Sequence, residues 1–180
     1  PYEESSRVPL IVYDPRHNNS GKQLRSDALT GNVDFAPTIL ELAGVGVPAG
    51  LDGRSLLPLY SDPASEIHDS LPLINVWGPK EVHSLGVVTN DWKYIFWNYA
   101  EGDFRPTEEL YDLSGDPLEL KNLAADASHA ATLEAMRQRY DRHVAAWKVL
   151  AVPYNNYQKY ATIFDRNLPW AQKRLLVMQK

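Results

Sequence analysis

The sequence predicts an α+β fold, with about four antiparallel strands packed by one long helix, preceded by a strand and a helix that belong to a larger α/β body. Three observations carry this reading. Runs rich in β-branched and aromatic residues at 71–77, 83–89 and 92–97 follow one another at short spacing, as in an antiparallel sheet. Leu133, Met136, Tyr140, Val144 and Trp147 then repeat at the 3-and-4 spacing of one helical face. Ahead of both, an apolar run at 8–13 and a capped helical pattern at 34–43 form a separate strand and helix.

Taken in chain order, residues 8–13 read as a strand buried on both faces, with Pro9 near its start because proline cannot donate to a ladder. Residues 14–22, with Pro15, Asn18, Asn19, Ser20 and Gly21, have the chemistry of a loop. Asp34 reads as an N-cap and Pro37 lies in the first turn. Phe35, Ile39, Leu42 and Ala43 form an apolar stripe that Gly44 ends. Residues 44–53 hold four glycines and a proline and read as a connector, after which Ser55 caps a short helix through Leu59. The polar stretch 62–69 is the expected boundary, which divides the chain into 1–62, 63–149 and 150–180. Asn90-Asp91 marks a tight hairpin, and 110–113 supplies a short fourth strand. From Asp126 or Ser128 a helix is expected to reach Trp147, whereas the aromatic-rich tail beyond 150 shows no sustained period and is expected to wrap a surface.

Composition narrows the function. With 180 residues, 44% hydrophobic and 23% charged, the chain is ordinary for a globular protein, and no apolar run approaches the roughly 20 residues of a membrane span. A net charge of -5 with scattered basic residues argues against a nucleic-acid partner. The absence of cysteine excludes disulfides and thiolate metal sites, and is compatible with either a cytoplasmic or a periplasmic or secreted setting. No zinc spacing, phosphate-cradling glycine loop or Ser-His-Asp arrangement stands out.

Three ordered motifs carry more. They are Tyr2-Glu3-Glu4-Ser5-Ser6-Arg7-Val8-Pro9-Leu10-Ile11-Val12, then Val33-Asp34-Phe35-Ala36-Pro37-Thr38-Ile39-Leu40-Glu41-Leu42-Ala43-Gly44, and finally residues 109–123, from Glu109-Leu110-Tyr111-Asp112-Leu113 to Asn122-Leu123. Together they resemble the C-terminal portion of a type I, formylglycine-dependent sulfatase of the alkaline-phosphatase-like superfamily, over roughly residues 1–149. The resemblance implies that residues 1–62 end the large catalytic α/β domain and that 63–149 form the C-terminal subdomain. It also implies a formylglycine nucleophile and a calcium ion in the parent enzyme. This chain has neither Cys-x-Pro-Ser-Arg nor Ser-x-Pro-x-Arg, nor the calcium-binding Asp-Asp pair. No catalytic and no metal-ligating residue is therefore assigned here. The nucleophile and metal are expected upstream, in a missing N-terminal catalytic domain that is the chain's first partner. The implied substrate is a sulfated small molecule or glycan. A phosphonate or phosphate monoester hydrolase of the same superfamily, and a non-catalytic carbohydrate-binding domain, are the rival readings.

Within the chain, Asp112, Asp116 and Glu119 are read as turn and ion-pair carboxylates, with Leu118 and Leu123 packing inward. The candidate substrate-binding residues are Trp77, Lys80 and His83, between two expected strands. Trp77 offers a face to a sugar, Lys80 a point cation, and His83 a donor that changes charge near neutral pH.

Overall fold

A computed structural model describes residues 2–17, 22–152 and 154–178, so residues 18–21 of the expected loop at 14–22 lie outside the described residues. The chain divides into two compact units, Val8–Leu71 and Pro1–Arg7 with Pro72–Lys180.

The second of these is the α+β unit. Its sheet runs in the order β1 (Leu71–Asn75), β2 (Ser84–Val88), β3 (Trp92–Trp97) and β4 (Thr107–Asp112). Antiparallel pairing sets Val87 opposite Tyr94 and Tyr94 opposite Leu110. The β2–β3 hairpin lacks a turn glycine because Thr89 does its work. The Thr89 hydroxyl accepts from the amides of Asp91 and Trp92 at 3.3 and 3.0 Å, a side-chain turn of the kind Ser and Thr favour.

Long helix α4 (Ala130–Leu150) follows a 3-10 turn at Ala127–His129, whose amide at Ser128 is capped by the Asp126 carboxylate. Its Leu133, Met136, Tyr140 and Val144 pack onto Leu85, Val87, Tyr94, Phe96 and Leu110, one face of the sheet. The tail is not a surface wrap. It forms α5 (Gln158–Ile163) and α6 (Trp170–Met178), and Ile163 and Phe164 join the main core while Tyr140 donates to the Phe164 carbonyl.

The opposite sheet face carries Lys93, fully buried. Its ammonium lies 2.8 Å from Glu3 and 2.9 Å from Glu119, and donates to Ser6 at 3.3 Å. Helix α1 (Glu3–Ser6) is thereby fastened to the sheet, with Tyr2 donating to Glu109 at 3.1 Å. Glu119 sits at φ 54°, a left-handed conformation that disfavours a non-glycine residue by about 1–2 kcal/mol. Pairing with Lys93 holds it there. The turn before it matches expectation at Asp112, whose carboxylate accepts from Ser114 and Gly115, and at buried Leu123. Leu118 does not pack inward and is 60% exposed, because the turn at 115–118 throws it outward.

Among the described residues of Val8–Leu71, α2 (Phe35–Leu42) and the four-residue α3 (Pro58–Ser61) are the α-helices. Asp34 is not a side-chain cap of α2. Fully buried in a preceding 3-10 turn, it accepts from the amides of Gly31 (2.7 Å) and Arg54 (2.8 Å) and pairs with His68 at 2.8 Å. Gly53 is required beside this network, since a Cβ there would sit 1.9 Å from the Val33 carbonyl oxygen. The apolar stripe of α2 is only partly covered: Ile39 is 63% exposed, and the buried side chains are Pro37 and Thr38.

Residues 8–13, expected as a buried strand, are not one. They form no strand and are exposed, Ile11 at 90%. A strand needs a neighbour for its amides and carbonyls, and among the described residues the one sheet is closed at four strands far along the chain.

Candidate functional site

The connector between β1 and β2 holds all three candidate residues and is pinned along its length. Gly78 takes φ 80°, a left-handed turn that suits glycine. Pro79 then opens a 3-10 turn at Lys80–Val82. The Asn75 side chain donates to the Val82 carbonyl at 2.9 Å, and that of Asn98 to the His83 carbonyl at 3.0 Å.

On this frame Trp77 stands 75% exposed. Lys80 turns inward. Its ammonium lies 2.8 Å from the Met178 thioether on α6 and 5.9 Å from the centroid of Tyr99. A thioether is a weak acceptor, so this charge can still take an anionic oxygen. The His83 Nε2 is 3.3 Å from the Gly78 carbonyl, and its ring meets Tyr160 of α5 edge-on at 5.8 Å. Burial holds the imidazole below the usual histidine range, against the opposing pull of Gly78 and Glu81. His83 is therefore neutral at pH 7 and acts as a hydrogen-bonding group rather than a cation. Lys80 and His83 both rest on the C-terminal extension, and Trp77 alone faces solvent. The supporting residues Met178, Tyr160 and Tyr99 were not singled out from the sequence. For Tyr160 a signal was present, since Tyr157, Tyr160 and Phe164 recur at helical 3-and-4 spacing.

Two buried polar clusters among the described residues elsewhere are internally paired. Lys93 is surrounded by Glu3, Glu119 and Ser6, and Asp34 by two amides and His68. The residues present do not fit a formylglycine nucleophile or a calcium ion. The sequence has neither Cys-x-Pro-Ser-Arg nor Ser-x-Pro-x-Arg, and among the described residues no group of three or more His, Asp or Glu could hold a metal.

Known proteins similar to this chain include sulfatases. Arylsulfatase K of Xenopus laevis is 39% identical over 133 residues, which cover 68% of this chain and 23% of that protein. The N-acetylglucosamine-6-O-sulfatase of Bacteroides thetaiotaomicron is 33% identical over 144 residues, 76% of this chain and 25% of its own. Among solved structures, BT4656 in complex with its substrate D-glucosamine-2-N,6-O-disulfate superposes with a TM-score of 0.60 at 28% identity, covering 69% of this chain and 26% of that one. This chain thus spans about a quarter of the length of the proteins it matches. Residues 1–146 match the family described as N-sulphoglucosamine sulphohydrolase, C-terminal, and the chain belongs to that family of sulfatase C-terminal domains.

Proposed function

We propose that this chain is the C-terminal part of a sulfate ester hydrolase, and that its own task is to recognise the sugar side of a sulfated substrate. The observation that carries the reading is a sulfatase C-terminal match over 1–146 in a sequence with neither Cys-x-Pro-Ser-Arg nor Ser-x-Pro-x-Arg. The nucleophile and calcium come from a catalytic domain outside these residues. That domain would also cover residues 8–13 and the exposed stripe of α2, whose apolar side chains are otherwise left in water at roughly 25 cal/mol per Å². Residues 8–62 are then the edge of the catalytic body and 63–149 the subdomain, to which residues 1–7 are fastened through Glu3 and Lys93, with 150–180 an extension that completes it.

Trp77 supplies the sugar contact by stacking on the apolar face of a pyranose ring. Lys80 offers a cation to an anionic oxygen, and neutral His83 a directional hydrogen bond. Support for a sulfated amino sugar comes from the matched N-acetylglucosamine-6-O-sulfatase and from the disulfated glucosamine bound in the structural neighbour.

The reading is tested by Trp77→Ala in the parent enzyme. KM for N-acetylglucosamine 6-sulfate is expected to rise about tenfold with kcat nearly unchanged, the signature of lost uniform binding. Unaltered KM for the sulfated sugar, or faster turnover of the matching phosphate ester than of the sulfate, contradicts it.

A further inference from the structure

The connector at 76–83 is flanked by a segment that the family match does not include. Helix α5 begins twelve residues beyond residue 146 and brings Tyr160 to His83, ring centroids 5.8 Å apart at 65°. From there the aromatic surface continues. Tyr157 lies 6.0 Å from Tyr160 at an interplanar angle of 34° and is 43% exposed. The Lys159 ammonium sits 5.6 Å from the Tyr160 ring centroid, a cation–π placement. Its charge also reaches His83, where it opposes protonation, while Glu81 is the carboxylate that acts on the same ring. Two segments some eighty residues apart in sequence thus offer one surface of aromatic faces with a cation among them.

We infer that α5 forms a second wall of the carbohydrate surface, with Tyr157 stacking on a sugar ring and Lys159 donating to a sulfate group. The inference rests on the proposed role of the 76–83 connector. It also narrows the ligand. Aromatic faces at Tyr160 and Tyr157 beside His83, with Lys159 among them, match a sulfated hexosamine within a longer glycan better than a small aryl or alkyl sulfate, because stacking platforms reward ring faces and the lysine rewards the anion.

The test is an NMR titration of this chain with N-acetylglucosamine 6-sulfate, unsulfated N-acetylglucosamine and inorganic sulfate, repeated for Trp77→Ala, Tyr157→Ala and Lys159→Gln after a fold check by amide spectrum. The expected result is chemical-shift change at Trp77, His83 and α5 with the sulfated sugar. Lys159→Gln should weaken it about fivefold, the size of one lost charge-assisted hydrogen bond on an open surface, and leave the unsulfated sugar unaffected. If Trp77→Ala weakens binding while Tyr157→Ala and Lys159→Gln do not, the second wall is wrong and the connector reading stands. Shifts absent from both segments overturn both, and equal response to inorganic sulfate alone overturns the assignment of a sugar.

Discussion

Lys93 shows how one side chain can hold a distant segment in place. Its ammonium is fully buried and meets two carboxylates, Glu3 from the chain start and Glu119 from a strained turn. Replacing it with an apolar residue strands both acids in a site that excludes water, and leaving a buried charge unpaired costs about 3–5 kcal/mol. Lys93→Met is expected to lose that much in urea denaturation, and adding Glu3→Gln and Glu119→Gln should recover most of it. A single mutant as stable as the parent contradicts the clamp. Lys173 behaves in the opposite way. Nearly buried over the Phe96 ring, it is pushed down to about 8 by burial, with Asp165 opposing. Between there and the ordinary lysine value of 10.5 the unfolded chain holds a proton that the folded chain has released. Stability should therefore rise with pH across that window. Above the usual tyrosine value it should fall, because burial holds Tyr94, Tyr111 and Tyr140 protonated only in the folded chain. Thermal unfolding from pH 7 to 11 is expected to give a maximum near about pH 9–10. Lys173→Met should flatten the rising limb, and an unchanged limb would place the lysine in water.

At the scale of elements, periodicity was legible wherever one face of the element is covered by the chain itself. Helix α4 and strands β2 and β3 follow their patterns to within a few residues because Leu85, Val87, Tyr94 and Phe96 meet Leu133, Met136, Tyr140 and Val144. Residues 8–13 carry an equally clear strand pattern, yet a pattern cannot supply the neighbouring strand that a ladder requires. The same holds for the apolar stripe of α2. The tail misled in the other direction. Its Asn, Gln and Lys residues hid two short helices whose apolar contribution is concentrated in Ile163 and Phe164. Of the candidate site, the connector with Trp77, Lys80 and His83 was legible as a loop. The inward turn of Lys80 was not, since it depends on where Met178 lies ninety-eight residues later. Ending the chain at Leu150 tests the tail directly. It removes the side chains that fill the α4 core and also the Arg166 partner of Asp141. Two fully buried apolar side chains at about 1.5–3 kcal/mol each approach the whole stability of a domain this size. The shortened chain is expected to lose its cooperative thermal transition. A melting temperature within a few degrees of the parent would make the extension an appendage.

For the whole molecule, the family match, the missing nucleophile and the uncovered apolar segments belong together. A chain matched over about a quarter of each relative's length has a four-stranded sheet in one unit, and in the other an apolar run at 8–13 that is left in water. The proposed catalytic domain would supply the cover that this run lacks. Under the proposal sugar recognition falls to Trp77, Lys80 and His83, while the sequence holds neither nucleophile motif and no group of three or more His, Asp or Glu that could hold a metal is found among the described residues. The most direct measurement is 4-nitrophenyl sulfate hydrolysis by the purified chain, beside the longer polypeptide that the proposal requires. The account expects no turnover above the buffer rate from the chain alone and catalysis from the longer protein. Turnover by these 180 residues unaided would contradict it.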